Sequence, residues 1–144
     1  MLLTYNENGT LPPGEYTLEW EDVVSEFGTN ERRKELLTGL RRALVNFAKA
    51  GCSSVLLNGS FVTKKEQPGD YDAAWCEDGV DVTRLDPVLL DHEDGCKKMK
   101  EKYLGEFFPS KMRTEDGRFH RDFFQTNRDG TVKGIVKIDP RGAL

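Results

Sequence analysis

The sequence predicts an α+β fold in which helices pack on one face of a mixed β-sheet. One long segment, 30–50, has apolar residues at spacings of three and four, which is typical of an amphipathic helix. Short segments rich in β-branched and aromatic residues are typical of strands, and they lie at 54–57, 70–75, 120–126 and 131–139. No repeat, linker or low-complexity stretch divides the 144 residues, so we expect one domain over 1–144.

Two helices are predicted in the N-terminal third. Residues 1–17 are rich in turn-forming residues, and a short helix over 18–27 ends at Gly28. Thr29 can cap the longer helix, which Gly51 ends where a left-handed backbone is needed. The apolar stripe of this helix faces the predicted core and comprises Leu36, Leu37, Leu40, Leu44 and Phe47.

The rest of the chain alternates between extended and helical patterns. A short helical turn is expected after Ser60, and the segment 85–90 could be strand or helix. A helix is predicted over about 94–107, and Pro109 ends it. The last two strands are joined through Asp129-Gly130, a dipeptide typical of a β-hairpin turn.

A pair of carboxylates begins the strand predicted at 70–75. Asp70 and Asp72 flank Tyr71, and residues i and i+2 of a strand project from the same face. Two anions so close together need a cation between them. Oxygen ligands favour Mg²⁺ or Mn²⁺ over zinc. An isolated Asp-x-Asp pair is more often a solvated turn, so the prediction depends on what lies beside it.

A second motif, Gly59-Ser60, follows the apolar strand 54–57. Free backbone N–H groups at such a turn can hold a phosphate, although most Gly-Ser dipeptides are only turns. Lys64 or Lys65 could neutralise that phosphate, but a loop lysine is often simply solvated. Together the two motifs predict a metal-dependent enzyme that acts on a nucleoside triphosphate.

The order of a hydrophobic strand, Gly-Ser, nine residues and Asp-x-Asp resembles the signature of the DNA polymerase β-like nucleotidyltransferase superfamily. The chain is most similar to its small, stand-alone bacterial and phage members, the minimal nucleotidyltransferases. The similarity extends to 11–14, to the helix with Arg32 and Arg33, and to 122–125 and 133–135, so it covers most of the chain. It implies the mixed sheet of the polymerase β palm, with helices on one face.

The superfamily pattern has a third carboxylate on a later strand, and Asp122 is the best match. Asp78, Asp81 and Asp129 match less well because they lie in turn-like sequences. A structural alternative is that Asp122 only pairs with a neighbouring arginine. The chain also departs from many members of the superfamily, since the bulky Phe61-Val62 follows Gly-Ser and could narrow the nucleotide pocket.

The resemblance implies transfer of a nucleoside monophosphate from a triphosphate to a hydroxyl of a protein, a tRNA or a small molecule. Asp70, Asp72 and Asp122 would hold Mg²⁺ or Mn²⁺, and Gly59, Ser60 and Lys64 would bind phosphate. The alternative is a catalytically degenerate fold that acts as a binding module in a toxin–antitoxin or phage-defence pair. The small size favours a partner protein or a homo-oligomer under either hypothesis.

Composition excludes several other classes. A net charge of −4 argues against indiscriminate nucleic-acid binding, and no run of about 18 apolar residues predicts a membrane span. Cys52, Cys76 and Cys96 are odd in number and lack Cys-x-x-Cys spacing, so we expect reduced thiols in a cytoplasmic protein. His92 and His120 are too few for a zinc site.

Overall fold

A computed structural model describes residues 3–112, 114, 117–120 and 133–144. It has the α+β fold that the sequence predicts, with three α-helices and a mixed five-stranded sheet among these residues. The strands are β1 (Gly14–Thr17), β2 (Val55–Asn58), β3 (Tyr71–Trp75), β4 (Gly105–Pro109) and β5 (Gly134–Ile138).

The strands are ordered β1-β5-β2-β3-β4 across the sheet. The central strand β2 is antiparallel to both β3 and β5, whereas β1 is parallel to β5 and β4 is parallel to β3. The strands predicted at 54–57, 70–75 and 131–139 are therefore confirmed as β2, β3 and the described part of β5. The strand predicted over 120–126 lies outside the described residues from 121 onward.

The helices are α1 (Trp20–Phe27), α2 (Glu31–Lys49) and α3 (Glu93–Tyr103). The cap of α2 is Asn30, one residue later than the predicted Thr29, because the side chain of Asn30 accepts a hydrogen bond from the backbone N–H of Arg33 at 2.9 Å. Gly51 follows the helix with φ +93°, as its place at the helix end predicts. None of the helices in the described residues is long and apolar enough to cross a bilayer.

The helix predicted over 94–107 is too long. Helix α3 ends at Tyr103, Leu104 has a left-handed backbone with φ +67°, and β4 begins at Gly105. The aromatic pair Phe107-Phe108 continues a helical spacing of apolar residues, which is why the sequence prediction did not separate the two elements. The segment 85–90, which could have been either, contains the 3₁₀ turn Pro87–Leu90.

The two faces of the sheet differ. The helices pack on one face, where Tyr71, Ala73 and Trp75 of β3 are buried in the main core. On the opposite face Ala74 joins a smaller apolar cluster with Leu56 and Ile135. The alternation predicted for β3 is confirmed, and it places Asp72 on the face away from the helices because Asp72 alternates with Tyr71 and Ala73.

Candidate functional site

Three carboxylates meet on the face of the sheet away from the helices. One oxygen from each of Asp70, Asp72 and Glu106 lies within 4.8 Å of the other two. Asp72 and Glu106 are direct cross-strand partners in the register of β3 and β4, and Asp70 immediately precedes β3. Neighbouring strands therefore hold the cluster, rather than a single flexible loop.

Burial and the repulsion of neighbouring carboxylates raise the pKa values of Asp70 and Asp72. Burial, with the charges of Asp70 and Glu106, raises the pKa of Asp72 to about 7. Burial and the charge of Glu106 also raise the pKa of Asp70. Three carboxylates cannot all be ionised at little cost in this position, so a bound cation would relieve a repulsion that protons otherwise relieve.

Basic side chains surround the carboxylates without entering the cluster. Lys100 of α3 forms an ion pair with Glu106, at 2.7 Å between Nζ and Oε1. Lys133, just before β5, is half-buried, and burial lowers the pKa of its ammonium group although the charge of Asp72 opposes this. Arg32 and Lys65 are close enough to favour the ionised form of Asp70. The site thus combines an acidic centre with a basic rim.

The Gly59-Ser60 turn lies directly against the cluster. Gly59 has φ +84°, and a Cβ atom at this position would lie 2.9 Å from Oδ2 of Asp72. Only glycine fits both the backbone conformation and the space. Ser60 then begins a 3₁₀ turn, Ser60–Val62. The structure therefore brings the two sequence motifs together at one place.

The bulky residues after Gly-Ser point away from this site. Phe61 and Val62 are buried in the main core on the helix face. The ring of Phe61 packs against those of Phe27 and Tyr71, with centroids 5.7 and 6.3 Å apart. Their bulk therefore fills the core and does not narrow the space in front of the carboxylates.

Two arginines at the start of α2 anchor the loop that joins the motifs. Arg33 is only 3% exposed, and its guanidinium donates to the carbonyl oxygens of Phe61, Thr63 and Lys65 at 2.6 Å each. Arg32 donates from Nε to the carbonyl of Pro68 at 3.1 Å, and it also contacts the carbonyl of Gly69. This anchoring role depends on tertiary contacts and was not predicted from the sequence.

Lys64 lies away from the carboxylates. Its Nζ atom is 4.9 Å from the centroid of the Tyr5 ring, and its backbone N–H donates to the carbonyl of Gly9. Lys64 and Ser60 both line a cleft of about 730 Å³ between the N-terminal segment and the 60–65 loop. The structure thus puts Lys64 beside Ser60 but not beside the acidic cluster.

A buried amide completes the inner edge of the cluster. Asn58 is 6% exposed and pairs directly with Asp72 in the register of β2 and β3. Its Oδ1 atom is buried and accepts no hydrogen bond within the described part of the chain. The register thus places an amide beside the three carboxylates, and amide and carboxylate oxygens are ligands of the kind that a hard divalent cation binds.

The predicted site residues are only partly brought together. Asp70, Asp72 and Gly59 meet, Ser60 adjoins them, and Asp122 lies outside the described residues. Of the weaker candidates, Asp81 caps a 3₁₀ turn through the N–H of Thr83, and Asp78 forms an ion pair with Lys111. Glu106 was missed because its strand was predicted as helix, although Leu104-Gly105 followed by two aromatics and Pro109 was a signal for a helix end and a strand.

The acidic cluster in the described residues includes none of the cysteines or histidines. Cys52, Cys76 and Cys96 are free thiols, and the Sγ of Cys52 is 3.3 Å from the carbonyl of Ser54. The rings of His92 and His120 each stack on the ring of Phe108, at centroid distances of 5.1 and 4.4 Å. The histidines are therefore part of an aromatic cluster beside β4.

Comparison with known proteins adds a family without an assigned activity. Searches of curated proteins and of solved structures gave no match. The model of one protein family matches residues 3–139, which is nearly the whole chain. The chain therefore belongs to DUF6932, a family of unknown function.

Proposed function

We propose that this protein is a metal-dependent nucleotidyltransferase, which moves a nucleoside monophosphate from a nucleoside triphosphate to a hydroxyl group. The observation that carries the proposal is the convergence of Asp70, Asp72 and Glu106 against the Gly59-Ser60 turn. The resemblance of the sequence motifs to the polymerase β-like superfamily supports the same reaction. The proposal places Glu106 in the cluster and keeps Asp122 as a further ligand predicted from the sequence.

Asp70, Asp72 and Glu106 would hold the cation through carboxylate oxygens, which suit Mg²⁺ or Mn²⁺. A divalent ion bound there supplies positive charge that stabilises the negative charge developing on the transferred phosphoryl group. The protein's own contribution is to hold the carboxylates on two paired strands, so that little reorganisation is needed when substrate binds.

The triphosphate would lie across the Gly59-Ser60 turn. Backbone N–H groups of this turn and the Ser60 hydroxyl are donors of the kind that phosphate oxygens accept. Lys100 and Lys133, at the rim of the acidic cluster, would balance the charge of the leaving group. Because Lys64 lies over Tyr5, its contact with phosphate would need the outer part of the substrate to enter the cleft beside Ser60.

The reaction is an in-line displacement at the α-phosphorus. The acceptor oxygen forms a bond to that phosphorus, and the bond from the phosphorus to the α,β-bridging oxygen breaks. Pyrophosphate leaves with the electron pair of the broken bond. The proton of the acceptor hydroxyl passes to a carboxylate of the site, a role that the superfamily resemblance gives to Asp122, and then to water.

The test is transfer of label from each α-³²P-labelled nucleoside triphosphate, with Mg²⁺ or Mn²⁺, to proteins, tRNA and small hydroxyl compounds. We expect label transfer and stoichiometric pyrophosphate release by the wild type, and neither by Asp70→Asn with Asp72→Asn. Glu101→Gln, which removes an exposed carboxylate of α3, is the charge control. Nucleotide binding without pyrophosphate release under all conditions would instead support the binding-module alternative.

A further inference from the structure

Asn58 is a buried polar residue beside the acidic cluster. It belongs to β2, where directly opposed residues of an antiparallel pair project from the same face, so Asn58 and Asp72 lie on one face. The neighbouring Gly59 is close enough that a Cβ atom would lie 2.9 Å from Oδ2 of Asp72. Asn58 therefore lies at the inner wall of the site, next to Asp72.

The buried amide oxygen of Asn58 lacks a hydrogen-bond donor among the described residues. The residue is 6% exposed, and Oδ1 accepts no hydrogen bond among the described residues. A buried acceptor without a donor is unfavourable for folding. Ionised carboxylates offer no donor to it, so neither Asp72 nor its partners can satisfy this oxygen while they are charged.

We infer that Asn58 is a direct metal-binding residue, whose Oδ1 joins the oxygens of Asp70, Asp72 and Glu106 around one divalent cation. One cation can accept coordination from the amide oxygen and from all three carboxylates. A proton on one carboxylate can form a hydrogen bond to only one other oxygen. The neutral amide adds a ligand without adding charge to a site already rich in it. This inference rests on the metal site of the proposed function but not on nucleotidyl transfer.

The test is a titration of the nucleotide-free protein with Mn²⁺. Binding is measured as the loss of the free-Mn²⁺ signal in electron paramagnetic resonance. Asn58→Leu keeps the approximate volume but removes the oxygen. We expect it to weaken Mn²⁺ binding about tenfold, the usual scale for one lost contact to a charged group. Thermal unfolding of the metal-free protein should show that Asn58→Leu is no less stable than wild type, because the unsatisfied oxygen is gone.

Asn58→Asp provides the opposite test. It keeps an oxygen at the same place and adds a charge, so it should bind Mn²⁺ more tightly than wild type and be less stable without metal. Asn46→Leu serves as a control, because Asn46 bonds to the backbone of Arg84 and Asp86 away from the cluster. This control should lose stability and keep its Mn²⁺ affinity.

The Mn²⁺ affinities of the variants distinguish the role of Asn58 from that of the carboxylates. Wild-type affinity in Asn58→Leu, with affinity lost in Asp72→Asn, would overturn the role of Asn58 and leave the carboxylate site intact. No Mn²⁺ binding by the wild type would overturn both. If Asn58→Leu is too unstable to titrate, equal Mn²⁺ affinities of Asn58→Asp and wild type overturn the inference, and tighter binding by Asn58→Asp supports it.

Discussion

The backbone of Gly59 lies so close to the carboxylate of Asp72 that a Cβ atom at Gly59 would be 2.9 Å from Oδ2. We therefore expect Gly59→Ala to displace Asp72 and weaken Mn²⁺ binding. Gly59 also has φ +84° and ψ −173°, a conformation that essentially only glycine adopts, so the alanine should lose a further roughly 1–3 kcal/mol of stability. Both effects are measurable, by Mn²⁺ titration and by denaturant unfolding.

Gly79→Ala is a matched control for that substitution. Gly79 has a similar φ of +80°, but a Cβ atom there would lie 3.9 Å from its nearest neighbour, the carbonyl oxygen of Gly51. Gly79→Ala should lose stability because of its positive φ, without any change in metal affinity. Equal losses of affinity in the two variants would contradict a specific contact between Gly59 and Asp72.

Metal binding should depend on pH through Asp72, whose pKa burial raises to about 7. Below that pH the carboxyl holds a proton that a cation must displace. The affinity for Mn²⁺ should therefore rise by about tenfold per pH unit between about pH 5.5 and 6.5, and level off above about pH 7.5. Isothermal titration in buffers of different ionisation enthalpy would count the released proton, and an affinity independent of pH would contradict the shift.

The raised pKa of Asp72 also makes the stability of the metal-free protein depend on pH, in the direction opposite to the Mn²⁺ affinity. The pKa of Asp72 in the folded protein is raised above its ordinary value of about 3.9. The stability that the protonated Asp72 carboxyl contributes is therefore fully present below about pH 3.9 and is lost as the pH rises through about 7. In the absence of metal, Asp72→Asn should gain stability relative to wild type between pH 5 and pH 8. A difference that is constant over this range would show that Asp72 titrates normally.

The third carboxylate can be identified by comparing Glu106 with Asp122. We expect Glu106→Gln to weaken Mn²⁺ binding about tenfold, because it removes one charged ligand, whereas Glu101→Gln should leave it unchanged. The sequence predicts separately that Asp122→Asn abolishes transfer and leaves triphosphate binding partly intact. Unchanged binding in Glu106→Gln, with loss in Asp122→Asn, would assign the third ligand to Asp122 alone.

Lys100 competes with a cation for Glu106, since its Nζ is 2.7 Å from Oε1. Lys100→Gln should raise the Mn²⁺ affinity of the nucleotide-free protein by about two- to fivefold, the scale of an exposed ion pair. The effect should shrink in high salt. Lys97→Gln, on an exposed position of the same helix, is the control. Weaker binding in Lys100→Gln would instead show that the lysine organises the site.

The loop between the motifs should depend on Arg33. Arg33→Met removes the donors to the carbonyls of Phe61, Thr63 and Lys65 and should cost roughly 2–4 kcal/mol in the free energy of unfolding. Arg41→Met, on the exposed face of the same helix, should cost less than about 0.5 kcal/mol. Similar losses in both variants, measured by urea unfolding, would contradict the anchoring role.

Local patterns determined much of this protein. The apolar spacing of α2, with Gly51 after it, is confirmed because a helix forms from contacts between near neighbours in the chain. The alternation of residues in β3 correctly predicted that Asp72 projects from one face of the sheet and that Tyr71 and Trp75 project from the other. The spacing of the two motifs also led to the place where Gly59 meets Asp72.

Only the tertiary structure decided which residues complete the site. Glu106 joins the cluster because β4 pairs with β3, and Asn58 lies beside Asp72 because of the register of β2. Pairing between strands depends on packing across distant parts of the chain, which periodicity within one segment does not contain. For the same reason a helix was predicted through Glu106, whereas burial of Phe107 against the main core stabilises a strand there.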